Sequence, residues 1–486
     1  MKTTADVVVV GGGISGLTTA FWLAQSGVDV LVLEREPHVG GTMRTYRDGG
    51  WLIESGPNSA LETTPLFSDM FAKLGIDGDH AYANPAADRR YILRDGTLHA
   101  LPMSPGGFLS TRLWSMPAKF RLLKEPFIGR AKNEETVADF VVRRLGREFL
   151  DYAINPFVAG VFAGNPEQLS LRASFPKLYA LEEKYGGLFK GMIRGARERK
   201  KRAEKAKDRA RMFSFRNGMQ TFPDAIGRAL GERVCVECDV KSIAQAAQNG
   251  GSLPRYEVWF SREGSTRFVT AHAVCISIPA RPAAGLIRQF HPLLSSSLEA
   301  VHYPPVTEVF LGFREGRFRQ KLDGFGYLVP QKENRNILGT IWSSTLFAGR
   351  APAGYCAFTS FVGGSRQPEL AGRDDADVIR MVTEDINSIM GGKGKPDYSR
   401  IIRWANAIPQ YNIGHLDVME RIDEFESRFA GMFVCSNYRG GISVGDCVMN
   451  GERTAGRIRE FLAESSLLGV PAARTDSNIS NPGGNQ

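Results

Sequence analysis

Residues 5–36 read ADVVVVGGGISGLTTAFWLAQSGVDVLVLERE. Residues 7–10 are an apolar β-branched run of the kind a buried parallel strand needs, and they lead straight into Gly11-Gly12-Gly13-Ile14-Ser15-Gly16, where a helix is expected to start. Each of three glycines has its own task. Gly11 permits the tight turn, Gly13 lets the backbone approach a pyrophosphate, and Gly16 lets helix and strand lie close, while the helix N-terminus supplies N–H donors. Residues 28–33 read as a second strand. Glu34 follows where a carboxylate accepts hydrogen bonds from a ribose, with Arg35 next to it. The pattern predicts a dinucleotide site.

The stretch HVGGTMRT, residues 38–45, adds a second glycine pair just after that acid. A strand acid followed by Gly40-Gly41-Thr42 and the basic Arg44 resembles the FAD signature of the amine oxidase and phytoene desaturase superfamily. A simple NAD dehydrogenase has no need of it. The expected cofactor is FAD, held without a covalent bond, since nothing in these motifs requires a thioether.

At 486 residues the chain exceeds what one hydrophobic core usually supports, and its 43% hydrophobic content is that of a globular protein, so two or three domains are expected. No apolar run approaches the roughly 20 residues of a spanning helix, and residues 1–6 have no apolar region of the signal-peptide kind. A cytoplasmic location is expected. Six cysteines in so long a chain argue for a reducing compartment, and Cys235 and Cys238 form a CxxC with no second pair, so they are read as buried strand residues. No metal site is expected.

The net charge of +9 is concentrated: residues 190–212 hold eleven Lys or Arg against three Asp or Glu. The segment lacks the aromatic side chains on which single-stranded nucleic acid stacks, so nucleic acid is not an expected partner. It reads either as a solvated helix or linker, or as a basic face against anionic lipid headgroups. Upstream, residues 105–128 interleave Phe108, Leu109, Leu113, Trp114, Phe120, Leu122, Leu123, Phe127 and Ile128 with Lys119, Arg121 and Lys124. That pattern suits a membrane interface, with a buried helix pair as the alternative.

Strand signals return after the basic segment. A helix is expected from Met219 through Leu230, with strands over residues 234–243, 256–260 and 273–279, which would put Val240 beside an adenine. Further strand candidates are residues 309–313, 337–342 and 357–362, and residues 375–390 read as an amphipathic helix. Residues 433–435, Gly440-Gly441 and a helix over 448–467 repeat the order strand, glycine turn, helix, and can aim a second helix N-terminus at the cofactor. Residues from 471 onward are polar and expected to be disordered.

Several further stretches carry a narrower resemblance. Leu52-Ile53-Glu54 followed by Gly56-Pro57-Asn58-Ser59 is similar to the ESGPNS motif of the oxygen-dependent protoporphyrinogen oxidases. NPFVAGVFAGNPEQLS (155–170), FRNGMQTF (215–222), ANAIPQYNIGHL (405–416) and NYRGGISVGDCV (437–448) resemble further motifs of that family, in its order. Asn165 stands where several members carry aspartate, and no residue is assigned as acid or base; a backbone carbonyl or water would accept the proton.

The resemblance implies an α/β and α+β architecture: a discontinuous Rossmann-like FAD domain, a mixed-sheet substrate domain and an α-helical membrane-associating domain. The expected boundaries are 1–84, 213–280 and 401–468 for the FAD domain, 85–105 and 281–400 for the substrate domain, and 106–212 for the helical domain, with 469–486 as a tail. It implies substrate contacts from Arg90, Gly164, Asn165, Leu328, Leu346, Phe347 and Phe361. It adds Gly56, Pro57, Asn58, Ser59, Val240, Trp404, Ile442, Ser443 and Val444 to the cofactor residues. The implied reaction is oxidation of protoporphyrinogen IX to protoporphyrin IX, with oxygen as acceptor and hydrogen peroxide as product. Implied partners are a peripheral anionic membrane surface, a second copy of the chain in a homodimer, and a chelatase receiving the product. Coproporphyrinogen III is the alternative substrate, kept open by Arg89 and Arg94. Amine or carotenoid oxidation and a non-catalytic, flavin-stabilised membrane-binding protein are the remaining readings.

Overall fold

Val7, Val8, Val9 and Val10 are buried to 2% exposure or less, because the strand they form, β1 (Thr4–Val10), has parallel neighbours on both sides. The computed structural model describes residues 2–192, 194, 210–246 and 254–468. β1 leads into helix α1 (Ile14–Gln25) and then β2 (Val30–Leu33). On the other side of β1 lies the strand Ser265–Ile276, and beyond it, again parallel, Met432–Val434. Val234–Cys235 closes the far edge beside β2. Tyr256–Arg262 and Asp239–Gln245 extend Ser265–Ile276 as an antiparallel meander, making a seven-stranded sheet.

The strand expected over residues 234–243 is interrupted. Glu237 takes φ 57°, and the turn it makes lets the N–H groups of Glu237 and Cys238 donate to the carbonyls of Glu36 and Glu34. The CxxC spans that turn, and both thiols are free. The C-terminal helix runs Val444–Leu468, four residues earlier than expected, because Ser443 caps it: the Ser443 hydroxyl accepts from Asp446 N and donates to the Asp446 carboxylate. This helix lies against α1 so closely that a Cβ on Gly451 would come within 2.8 Å of Thr18.

A second seven-stranded sheet has the order Tyr398–Trp404, Val306–Arg314, Tyr355–Gly363, Ile337–Ile341, Gly324–Leu328, Arg89–Arg94, Thr97–Ala100. Two strands from the N-terminal hundred residues thus join strands more than two hundred residues later, Arg89–Arg94 running parallel to Gly324–Leu328. One face packs on the helix Asp375–Met390 through Val309, Leu311, Phe313, Phe358, Val378, Val382 and Ile386. The opposite face packs on Trp51 and Ile53 of the strand Trp51–Glu54 through Phe310 and Ala357, and on the helix Asn155–Phe162 through Val306 and Leu338.

Residues 105–185 form short helices around Leu113, Trp114, Phe140, Phe149, Val158 and Phe162, with Trp114 stacked on Phe149 at 4.8 Å. A fully buried ion cluster braces them. Arg144, at 0% exposure, donates to Glu125 and Glu182 at 2.7 Å each. Glu125, also at 0%, accepts in addition from Leu188 N and Phe189 N. On either side of it Leu123 and Phe127 point outward, 68% and 88% exposed, and Leu109 and Phe120 are 65% and 62% exposed. The buried-pair reading of these four is set aside.

Two of the three interleaved cations, however, turn inward. Lys119 Nζ donates to the carbonyls of Leu109 and Thr111, and Arg121 donates to those of Arg143 and Arg144, leaving Lys124 exposed. Among the described residues no helix is long and apolar enough to cross a membrane. Most of the basic segment, residues 195–209, lies outside the described residues, as does the tail from 469.

Candidate active site

The glycine loop has the geometry its residue types require. Gly11 takes φ 105°, and a Cβ on Gly16 would stand 2.1 Å from Gly11 O, so a side chain at Gly16 would force helix and strand apart. At Gly13 a Cβ would meet nothing within 4 Å, so open space lies beside the first turn of α1. No side chain caps that turn, and the backbone N–H groups at Ile14 and Ser15 are available to an anion. The second glycine pair is tied to the first: Gly40 N donates to Gly12 O at 2.8 Å, which sets Gly41 and Thr42 beside the loop. Thr42 O in turn sits where a Cβ on Gly56 would be, at 2.3 Å, so the Gly56-Pro57-Asn58-Ser59 turn packs directly on it.

Glu34 is buried at the end of β2. One carboxylate oxygen accepts from Gly12 N at 2.6 Å and the other from Glu36 N at 2.8 Å, leaving a lone pair on each for ribose hydroxyls. Arg35 points to solvent and pairs with Glu36. Val240 opens the strand Asp239–Gln245, just past the turn bonded to β2. At the other end of the cradle, Gly441 N donates to the Tyr411 hydroxyl, holding Ile442 and Ser443 at the capped start of the helix that begins with Val444. The set fits FAD: an open glycine cradle for the diphosphate, a buried acid for the ribose, and a second helix start. Bound there, FAD supplies a two-electron acceptor.

Strand register collects the residues expected to touch substrate. On the face turned away from Asp375–Met390, one cross-strand row reads Ile402, Glu308, Phe361, Gly339, Leu328, Ile92. The next row reads Arg400, Phe310, Thr359, Ile341, Gly326, Arg90. Leu328, Phe361 and Arg90 therefore share one face, although 271 positions separate Arg90 from Phe361. Arg90 is exposed, lies 5.9 Å over the Phe325 ring, and has no carboxylate partner among the described residues. Leu346 and Phe347 are buried after the short helix Ser343–Leu346, and with Phe310, Thr359 and Ile341 they line a narrow cleft whose other wall is Leu52, Glu54, Asn58 and Arg350. Asn58 of the cofactor motif and two expected substrate residues thus meet in one cleft.

Gly164 and Asn165 follow Ala163, which takes φ 49° at the end of the helix Asn155–Phe162. A Cβ on Gly164 would stand 2.3 Å from Gln410 Oε1, while Gln410 Nε2 donates to Phe162 O. Gln410 fixes this turn. Asn165 Oδ1 accepts from Glu167 N, a turn-holding role that needs no acid. Trp404 ends the strand Tyr398–Trp404 opposite Val306, its indole N–H directed at the Glu308 carboxyl.

Three residues with marked chemistry fall outside the expected set: Glu54, Glu308 and Arg350. Burial pushes the Glu54 carboxyl up to about 7 against the pull of Arg350, whose guanidinium is 3.4 Å away, and the donors Thr45 Oγ1 and Met219 N. Burial, then the Glu54 charge, drives Glu308 well above the carboxylate range. A single acid inside the apolar run VTEVFLGF was the available signal.

The family model of flavin containing amine oxidoreductases matches residues 14–459. A protoporphyrinogen oxidase of Oryza sativa is 34% identical, the match covering 95% of this chain and 90% of that one. A coproporphyrinogen III oxidase of Bacillus subtilis is 27% identical over 92% and 96%. A crystal structure of a protein from Exiguobacterium sp. superposes with a TM-score of 0.76 at 23% identity, covering 95% of this chain and all of the other, and so agrees in fold. The glycine cradle, the buried acid beside it and the cleft between the second sheet and the strand Trp51–Glu54 therefore belong to a flavin containing amine oxidoreductase of the protoporphyrinogen oxidase group, an FAD-dependent oxidoreductase.

Proposed function

We propose that this enzyme oxidises protoporphyrinogen IX to protoporphyrin IX, removing six electrons in three two-electron cycles with oxygen as acceptor and hydrogen peroxide as product. The observation that carries the reading is the face holding Leu328 and Phe361 with Arg90 uncommitted at its edge: an apolar bed for a macrocycle and a cation for a propionate. Coproporphyrinogen, with four propionates, is the second reading, favoured by the Bacillus subtilis relative. The two arginines that kept it open are already neutralised, Arg89 by Asp323 at 2.8 Å and Arg94 by Glu148 at 2.6 Å. Oxidation of the two porphyrinogens side by side, followed by product fluorescence with oxygen uptake, tests this. Protoporphyrinogen is expected to have the higher kcat/KM; a preference for coproporphyrinogen reverses the assignment, and inactivity on both removes it.

FAD is held without a covalent bond. The two nearby cysteines are buried, and burial pushes the Cys447 thiol up to about 12, so neither offers a thiolate. Acid precipitation is expected to leave the flavin in the supernatant.

The helical segment over residues 105–128 rests on anionic lipid. Its exposed Leu109, Phe120, Leu123 and Phe127 supply insertion, and Lys124 supplies charge. A poorly soluble porphyrinogen would enter from that side.

A further inference from the structure

Glu308 sits in the row of the sheet that carries Leu328 and Phe361, directly opposite Phe361. It is 4% exposed, and the indole N–H of Trp404 is directed at its carboxyl, although no close hydrogen bond forms on Oε2. No cation among the described groups around it answers its charge. From the strand Trp51–Glu54 comes Glu54; Arg350 lies against Glu54 and donates to Ser214 and Phe215. From the neighbouring strands come Phe361 on one side and Ile402 and Trp404 on the other. The cations of that strand are turned elsewhere, Arg400 over the Tyr46 ring at 4.2 Å and Arg403 to Asp375 at 2.8 Å.

Two carboxyls and one guanidinium thus share a buried region. One negative charge is compensated there, and the other carboxyl keeps its proton. A neutral carboxyl can accept a hydrogen bond or proton on its carbonyl oxygen and give one up from its hydroxyl. A valine or methionine in that row would pack without the desolvation cost, so the acid is poorly explained as a structural element.

We propose that Glu308 is the proton acceptor of the oxidation, working as a pair with Glu54. As a meso carbon gives up its hydride to the cofactor, the adjoining pyrrole N–H bond breaks and that proton forms an O–H bond on the Glu308 carbonyl oxygen. The original Glu308 hydroxyl proton passes by way of an entering water to the Glu54 carboxylate, to which Glu308 makes no direct hydrogen bond, so the pair gains one proton per two-electron oxidation. Glu54, near neutrality, then returns it to solvent. The proposal rests on the porphyrinogen reading above.

The test compares the holoenzyme with its E308Q and E308M variants. Glutamine keeps the shape without carrying a proton, and methionine removes the polarity. Both variants are expected to retain full FAD content and to melt no lower than the parent, with E308M melting higher. Reduction of the bound flavin by protoporphyrinogen, followed in stopped flow, is expected to slow by ~10²-fold or more in both, with KM within about twofold. Infrared spectra should show a neutral-carboxyl C=O band in the parent that E308Q lacks. Flavin reduction in E308Q at the parental rate overturns the proposal, as does a spectrum in which every neutral-carboxyl band survives the substitution. Slowing accompanied by loss of FAD or a lower melting temperature makes Glu308 structural and overturns it too. A parent enzyme that oxidises no porphyrinogen overturns the functional reading together with this one, whereas a fast E308Q overturns this one alone.

Discussion

Glu34 has two tasks, and its removal should therefore register in two measurements. Its carboxylate holds the Gly12 and Glu36 amides, and in the proposed FAD pose its remaining lone pairs serve the ribose. Glu34→Ala is expected to weaken FAD binding by ~1.5–3 kcal/mol, the usual loss for hydrogen bonds to a charged acceptor, and also to lower the melting temperature of the apoprotein because the loop loses its anchor. Flavin-fluorescence titration and apoprotein melting check the two effects separately. Arg90 differs in kind, since the propionate clamp proposed for it would serve bound substrate and transition state about equally. Arg90→Ala is expected to raise KM by the equivalent of ~1.5–3 kcal/mol while leaving kcat nearly unchanged, as steady-state kinetics will show. At this scale the backbone geometry of the glycine loop was legible because a tight turn and a close helix–strand approach dictate residue type within a short local pattern. Glu308 and Gln410 were not, because what they do depends on partners more than two hundred residues away: Glu54 for the one, and Phe162 and Gly164 for the other.

Two segments with clear sequence motifs, 405–416 and 437–448, turn out to be two halves of one lock. Tyr411 donates to Asn437 O at 2.6 Å, the His415 ring nitrogen Nε2 lies 2.9 Å from Tyr438 O, and the two rings stack at 4.1 Å. Burial pushes His415 down to about 4, with the Tyr438 carbonyl pulling weakly the other way. The native fold therefore prefers neutral imidazole, whereas an unfolded histidine titrates near 6.5. The stability so contributed is present above about pH 6.5 and is lost as pH falls from there toward 4. Roughly 3 kcal/mol should disappear over that window, and His415→Gln should flatten this part of the pH–stability curve measured by denaturant unfolding. Element type was well foreseen where periodicity is strong, as in the helix Asp375–Met390, whose limits agree with expectation. It failed where a short range hid a reversal: residues 234–243 break at Glu237 because the chain there satisfies carbonyls at the end of β2. Likewise Lys119 and Arg121 looked like interfacial cations in sequence, and the carbonyls they cap come from other turns of the chain.

Across the whole molecule, the helical segment offers apolar side chains to the outside from a platform that is polar within. Removing the cation from that platform leaves Glu125 and Glu182 buried and unpaired, so Arg144→Met is expected to destabilise the protein by ~3–5 kcal/mol in denaturant unfolding. The outer side is separable from it. Leu123→Ser combined with Phe127→Ser should leave turnover in detergent unchanged while cutting association with anionic liposomes by about tenfold or more, since each apolar side chain transferred from water is worth ~1.5–3 kcal/mol. Co-sedimentation at low and high salt checks this, with binding by the parent weakening as salt screens the cations. The two-sheet architecture was legible as an alternation of strand and helix signals, but the pairing of Arg89–Arg94 with Gly324–Leu328 was not, because no local pattern announces a partner that distant. The order of the first sheet has a consequence for biosynthesis. β1 stays without its full set of neighbours until Ser265–Ile276, more than 250 residues later, has been synthesised, and the Met432–Val434 edge arrives more than 150 residues after that. On the ribosome, then, the glycine loop waits as an unfinished cradle beside an open sheet edge, and cofactor capture follows only once the distant strands have emerged.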